Sequence, residues 1–405
     1  MPVFRHAWRN LWRNSRRTMI TLAAVMFTTA ILIASYSLMQ GMIVHAVQNA
    51  TNLVMGEVQV HAPDYRFRRE LHQLIDRPET IMDRIKARGV HAAARTYGYG
   101  LAACGSKSSG AMFWGVNPKD EISAFDLCRF LETGKYLDQT PMRGVVLGKK
   151  LAKSLKARVG SEIVVVVQAA DGSMGNDLYT VTGILKSAGD SIDRDAAIIH
   201  RSDFAELFVL PEGAHEIAVN SRGGKTLEET VQLAITAAPG METASWRVLV
   251  PALSDITAIF DAAMVIFGLV FILAGGLGVM NTMLMATFER TREFGILKAL
   301  GATRLRIVGD VAAEALVLAS IAASVGMVIG LTLSWYLTVK GIDTSAFSDG
   351  YSLSGIAVDT HWRAKITLKT TLFPVVSMSL ISVLASLYPA WLAARLDPVK
   401  AINAV

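Results

Sequence analysis

Four stretches of this chain, residues 18–44, 262–288, 315–339 and 370–394, contain no Asp, Glu, Lys or Arg, and each is 25 to 27 residues long. A bilayer core about 30 Å thick takes roughly 20 helical residues at about 1.5 Å rise, so each stretch can cross it with some tilt. Few folds are open to such a chain. The first stretch follows the basic residues Arg5 to Arg17, as a secretory signal would, but its apolar run is about twice a signal core and no small-x-small cleavage site follows it, so it reads as an uncleaved anchor. Composition agrees: 52% of the 405 residues are hydrophobic and 18% charged, against about 25% charged in an ordinary soluble domain.

The net charge of +6 is explained by topology rather than by nucleic acid. Arg5, Arg9, Arg13, Arg16 and Arg17 precede the first span. Arg290, Arg292, Lys298, Arg304 and Arg306 lie between the second and third, and Arg395 and Lys400 follow the fourth. Against these twelve, the segment between spans three and four carries four, Lys340, Arg363, Lys365 and Lys369. Basic residues stay on the cytoplasmic side, so both termini and 289–314 are expected there, with residues 45–261 and 340–369 outside.

The resulting expectation is a membrane protein of four transmembrane α-helices with a large α+β extracytoplasmic domain inserted between helices 1 and 2. Its parts are an interfacial amphipathic helix over 1–17, spans at 18–44, 262–288, 315–339 and 370–394, the inserted domain over 45–261, a cytoplasmic segment over 289–314, an outer loop over 340–369 and a tail over 395–405. At the start, Phe4, Trp8, Leu11 and Trp12 share one helical face and Arg5, Arg9, Arg13 and Arg16 the other, the pattern of a helix in the headgroup layer.

In the inserted domain, Glu57-Val58-Gln59-Val60-His61 alternates like a half-buried strand, and 78–88 has helical spacing behind a Pro-Glu start. Ile163-Val164-Val165-Val166-Val167 and 178–185, separated by the turn signal Asp171-Gly172-Ser173, predict a hairpin. The two cysteines, Cys104 and Cys128, can be a bridge or two thiols, and the eight histidines have no metal-ligand spacing. Gly326-Met327-Val328-Ile329-Gly330, and Ala274 with Gly278, are small-xxx-small patterns that let helix backbones approach, within one chain or between two.

Catalytic motifs fail on inspection. Gly223-Gly224-Lys225-Thr226 has the ending of a phosphate loop, but the glycine needed five residues before Gly224 is replaced by Val219, and the segment reads as a turn. There is no G-x-S-x-G and no H-E-x-x-H. Asp310 and Glu314, near the start of the third span, are ionisable groups at a membrane edge, close enough to reach water or a neighbouring cation. The segment running from Glu289-Arg290-Thr291-Arg292-Glu293-Phe294-Gly295 through Ile296-Leu297-Lys298-Ala299-Leu300-Gly301 is an amphipathic helix with Phe294, Leu297 and Leu300 on one side and Gly301 as its stop.

This segment, with Asn281 to Phe288 before it, closely resembles the signature of the FtsX-like permease family of ABC systems. Tyr388-Pro389-Ala390-Trp391-Leu392-Ala393-Ala394-Arg395-Leu396-Asp397-Pro398 resembles the family's C-terminal ending, and Gly115-Val116-Asn117-Pro118 and Val181-Thr182-Gly183-Ile184-Leu185 are weaker echoes. The resemblance implies a dimeric permease in the bacterial inner membrane. It would hydrolyse no ATP and bind no cofactor itself; ATP and Mg would be turned over by a separate cytoplasmic ABC ATPase dimer. Glu289, Arg290, Arg292, Glu293, Gly295, Lys298 and Gly301 are the implied ATPase-coupling residues. A fused ATPase ahead of the first span, as in the macrolide exporter, is not expected behind a leader of 17 residues.

The implied task is to draw a lipoprotein or other lipid-anchored client out of the membrane, with a second copy or a sister permease as partner and a periplasmic carrier as recipient. Phe27, Ile31, Tyr36, Met39, Phe267 and Phe271 are candidates for a substrate cavity between spans one and two, or else ordinary packing and lipid-facing side chains. The short 170–177 loop departs from the hairpin hook of the carrier-recruiting member. Control of a cell-wall hydrolase and export of peptides or amphiphiles are the alternative readings.

Overall fold

The computed structural model describes residues 15–186, 188–343, 352–353, 356–357, 361–397 and 401. They fall into two compact units, one built on the long helices and the other on His45–Thr257.

The helical unit contains α1 (Ser15–Ala50), α2 (Pro251–Glu289), the short α3 (Thr291–Ala299), α4 (Arg304–Val339) and α5 (Leu368–Arg395). Each charge-free stretch lies inside a helix longer than itself, and all four long helices are apolar enough to cross a membrane. The helix is the one open segment that satisfies its own backbone polar groups in lipid. Boundaries set by the nearest charge fall short. α1 continues past residue 44 to Ala50 and into a π-helical turn at Thr51–Met55, and α2 begins at Pro251, eleven residues ahead of the charge-free stretch. Of the interfacial helix expected over 1–17, residues 1–14 lie outside the described residues, and 15–17 already belong to α1.

Val25, Leu32, Tyr36, Val279, Met283, Ala315, Leu318 and Met378 form the buried centre of this unit. Small residues let α4 approach α1: a Cβ on Gly326 would lie 2.6 Å from the carbonyl oxygen of Met26, and one on Gly330 would lie 2.9 Å from Cβ of Ile33. Of the two small-residue patterns, this one therefore packs helices of a single chain, while a Cβ on Gly278 would meet nothing within 4 Å. Hydroxyls add short cross-links, Thr21 to Thr282 at 2.7 Å and the Tyr36 hydroxyl donating to the Met264 carbonyl at 2.8 Å.

The inserted domain is α+β, with ten strands: β1 (Val58–His61), β2 (His91–Cys104), β3 (Lys107–Val116), β4 (Leu131–Gly134), β5 (Gly144–Leu147), β6 (Glu162–Gln168), β7 (Met174–Leu185), β8 (Ala196–His200), β9 (Glu216–Asn220) and β10 (Glu242–Ser245). Pairing follows two patterns. β10, β1, β9 and the first half of β2 form an open antiparallel sheet. The second half of β2 pairs with both β3 and β6, and β3, β8, β5, β7 and β6 complete a ring back to β2, closing a six-stranded barrel. Closure removes edges and encloses a filled interior. Phe113, Val145, Leu147, Val165, Tyr179 and Phe204 occupy the barrel core, and Val58, Val60, Ile85, Ile217 and Val219 a second core beneath the open sheet. Gly98, on β2 between the two, is required by close approach: a Cβ there would lie 2.4 Å from the Phe208 ring.

Several expected elements are present. Of the expected strand at 57–61, Val58–His61 form β1, the Pro78–Lys86 helix begins with proline at its first turn, and β6 and β7 form the hairpin. The hairpin loop is shorter than expected, because residues 174–177 pair with β6 as part of β7 and only 169–173 connect the strands. Gly172 takes φ +83° in that turn. At 223–226 the chain turns, and Thr226 begins a helix through a reciprocal cap with Glu229. Both Cys104 and Cys128 are free thiols.

Candidate coupling site

α2 ends at Glu289 because Arg290 leaves helical geometry (φ −109°, ψ 15°), and α3 restarts at Thr291. Arg290 then joins the elements around it. Its Nε donates to Glu293 and its terminal nitrogen to Glu314 of α4, each at 2.9 Å, and its guanidinium lies 5.4 Å above the Phe294 ring. Glu314 is nearly buried, with 9% of its side chain exposed, so Arg290 is the counter-charge that makes its place near the apolar span tolerable. Of the two fates open to Glu314 in the sequence, pairing with a cation is the one observed.

α3 is only nine residues long, too short to be stable unaided, and tertiary contacts hold it. Phe294 is buried against Ile307 and Val311 of α4 and Ala390, Ala393 and Ala394 of α5. The Lys298 ammonium donates to the carbonyls of Ala394 at 3.0 Å and Leu396 at 2.5 Å. A helix leaves its last carbonyls without intrahelical partners and carries negative partial charge there, so Lys298 both bonds and neutralises the end of α5. Gly301, at φ +92°, closes α3. Its N–H donates to the Lys298 carbonyl at 3.0 Å and that of Ala302 to Leu297 at 2.9 Å, a paired stop that needs a left-handed residue.

The inward stripe of α3 is thus Thr291, Phe294, Gly295 and Lys298, at spacings of three, four and seven. This corrects the expected face. Leu297 and Leu300, placed with Phe294 by sequence, are 39% and 79% exposed, because the small-residue surface of α5 admits one large ring and the polar contact of Lys298 fixes the rotation. The outward surface carries Glu289, Arg292, Ile296, Leu297 and Leu300. Arg290, Glu293 and Lys298 form internal connections, Gly295 is buried in the packing, Gly301 is the stop, and Glu289 and Arg292 face outward. Ile296 and the 83%-exposed Leu305 were missed by the sequence reading, although an apolar side chain beside Arg292 and Glu293 is itself a signal of a docking surface.

The six candidates for a span cavity do not share one surrounding. Tyr36 belongs to the buried centre and stacks on Phe373 at 5.8 Å, and Phe271 packs against that centre. Phe27 and Phe267 are 66% and 58% exposed, and Ile31 and Met39 are half-buried.

Four long apolar helices, an α+β domain inserted behind the first, and a short anchored helix after the second define a polytopic membrane protein with an extracytoplasmic domain. Residues 18–237 match the MacB-like periplasmic core domain and residues 265–398 the FtsX-like permease C-terminal domain, so the chain belongs to the FtsX-like family of ABC transporter permeases. It is 29% identical over 272 residues to the macrolide export ATP-binding/permease protein MacB of Wolinella succinogenes, covering 64% of this chain and 38% of that one. With the uncharacterized ABC transporter permease YknZ of Bacillus subtilis it shares 28% identity over 245 residues, 60% of this chain and 54% of the relative. With the lipoprotein-releasing system transmembrane protein LolC of Xylella fastidiosa it shares 22% over 313 residues, 74% of each. The chain thus spans less than two thirds of the length of the MacB and YknZ relatives.

Proposed function

We propose that this chain is the lever of an ABC transporter in the bacterial inner membrane, carrying motion from a separate cytoplasmic ATPase dimer to its extracytoplasmic domain in order to release lipoproteins. The observation that carries the first half is α3. Its inward side is fixed to α4 through Arg290 and Glu314 and to α5 through Lys298, while its outward side offers a mixed apolar and charged surface. An ATPase gripping that surface would move two spans together, since packed helices shift as rigid bodies. Both termini are taken as cytoplasmic from the distribution of basic residues. The second half is supported by the LolC likeness, which extends over most of both chains. Removing acyl chains from a leaflet costs about 0.8 kcal/mol per CH₂, which calls for an external energy source. The MacB likeness favours a second reading, export of an amphiphile.

Co-purification in mild detergent tests both halves. The ATPase is expected to be recovered with the chain, and Leu300→Asp or Arg292→Glu to reduce its recovery roughly tenfold, a loss of about 1.4 kcal/mol, with the permease still folded. Undiminished recovery with both variants would remove α3 from the interface. A co-purifying acylated protein supports release; an amphiphile with no lipoprotein supports export instead.

A further inference from the structure

The end of the helical unit away from α3 has a charge pattern of its own. α4 begins where α3 packs on it and finishes at Val339, so the residues that follow lie at that other end. Lys340, Arg363, Lys365 and Lys369 are all exposed there, and none forms an ion pair among the described residues. Acid is scarce beside them. Asp343 is paired with His361 at 3.7 Å, and the other described carboxylate at this end of the unit is Asp261 of α2. These four cations take no part in the coupling site.

Backbone contacts fix where the cations stand. Ile342–Asp343 pairs antiparallel with His361–Trp362, and residues 363–367 then run across α1 as a strap. The Lys365 N–H donates to the Ser37 carbonyl of α1 at 2.8 Å, and the Thr338 hydroxyl of α4 donates to the Ala364 carbonyl at 2.9 Å. Gly41 of α1 makes room for the crossing: a Cβ on it would lie 2.8 Å from the Lys365 nitrogen and 2.9 Å from the Ala364 carbonyl carbon. Ala364 is 2% exposed and turned inward, which leaves Arg363 and Lys365 on either side of it facing away. Lys369 follows in the first turn of α5, which Thr367 caps through Thr370.

Aromatic rings share this level. Trp335 and Tyr336 are 62% and 49% exposed near the end of α4, the Lys340 ammonium lies 5.7 Å from the Tyr336 ring centre, and Trp362 is half-buried. Exposed rings beside cations at the end of a span mark the headgroup layer, where amphipathic rings meet the lipid interface and Lys or Arg heads reach toward phosphate.

We propose that the strap and the adjoining ends of α4 and α5 bind the phosphate head of an anionic phospholipid, in the leaflet that meets this end of the spans. Lys340, Arg363, Lys365 and Lys369 supply the charge, and Trp335 and Tyr336 rest against the lipid below its head. A zwitterionic head brings a cation of its own and is disfavoured. The inference depends neither on what the permease moves nor on which ATPase drives it.

The test uses the full-length chain in the C104S/C128S background, with Leu368→Cys carrying a bimane label, since Leu368 is 76% exposed beside the cations. In phosphatidylcholine bilayers, acyl-brominated lipids that occupy adjacent positions quench this label, and cations around α3, at the other end, do not contribute. Brominated phosphatidylglycerol is expected to compete for these positions at least about threefold better than brominated phosphatidylcholine, a fraction of what four cations gain at an anionic surface. The K340Q/R363Q/K365Q/K369Q variant should be quenched alike by both lipids while its thermal midpoint in phosphatidylcholine stays unchanged, because all four side chains are exposed. K340R/K365R/K369R should keep the preference, since charge is what is recognised. Inorganic phosphate should suppress it no more than chloride at equal ionic strength; selective suppression by phosphate would make a free anion the occupant and sink the lipid assignment. Equal quenching in the parent protein, or a preference that survives the quadruple glutamine variant, would overturn the proposal.

Discussion

Arg95 has none of its surface exposed, yet it carries a full charge. Glu121 takes two of its nitrogens, at 2.5 and 3.1 Å, Glu216 a third at 3.3 Å, the Val54 carbonyl accepts another bond, and the guanidinium lies 4.2 Å over the Phe125 ring. Breaking a buried ion pair from one side costs about 3–5 kcal/mol because the partner charges stay behind, so Arg95→Met is expected to destabilise the domain by about that much in urea unfolding. A loss below about 1 kcal/mol would mean that water reaches the carboxylates. His215 gives a pH prediction. The Tyr97 backbone N–H donates to its Nδ1 at 2.9 Å, so Nε2 carries the proton and donates to the Leu71 carbonyl at 2.9 Å. Burial holds its pKa below the ordinary histidine value. The unfolded chain therefore binds a proton at a pH where the folded one does not, and stability present above about pH 6.5 declines as the pH falls below it. His215→Gln should flatten the thermal midpoint between pH 7.5 and 5.5; an unchanged slope would assign the dependence elsewhere.

Among the elements, the contrast between α1 and α2 is informative. In the most apolar window of α1, 44% of residues are buried within the chain, against 11% for α2, whose Val265, Ile266, Leu269, Val270 and Leu273 face outward. Both helices are equally legible as spans, because apolar length alone defines one, but composition does not say which face meets protein and which meets lipid. Glycine contacts settle this for α4. Gly326→Leu is expected to push α4 from α1 and lower the detergent-solubilised thermal midpoint by several degrees, whereas Gly278→Leu, in open space, should leave it unchanged. Equal effects would contradict the assignment. For α3, the sequence supplied the helix and its glycine stop, and the choice of inward stripe came from Ala390, Ala393 and Ala394, nearly a hundred residues along the chain.

For the whole molecule, the topology makes one direct claim, that the inserted domain lies outside. A cysteine at Gly110, in the C104S/C128S background, should react with an impermeant maleimide in intact spheroplasts, since a Cβ there meets nothing within 4 Å and the residue is exposed. Labelling only after lysis would invert the orientation.

The sequence by itself determined four spans, the α+β character of the domain between the first two, the β6–β7 hairpin and the short helix after α2, because each follows from local periodicity, apolar length or turn chemistry. Only the tertiary structure decided that β6 returns to β2 and closes a barrel, that Arg95 sits between Glu121 and Glu216, and that Arg290 serves Glu314. Those contacts join residues 24 to 121 positions apart. Pairing at such separations is set by how whole elements pack, and no local pattern in the chain encodes it.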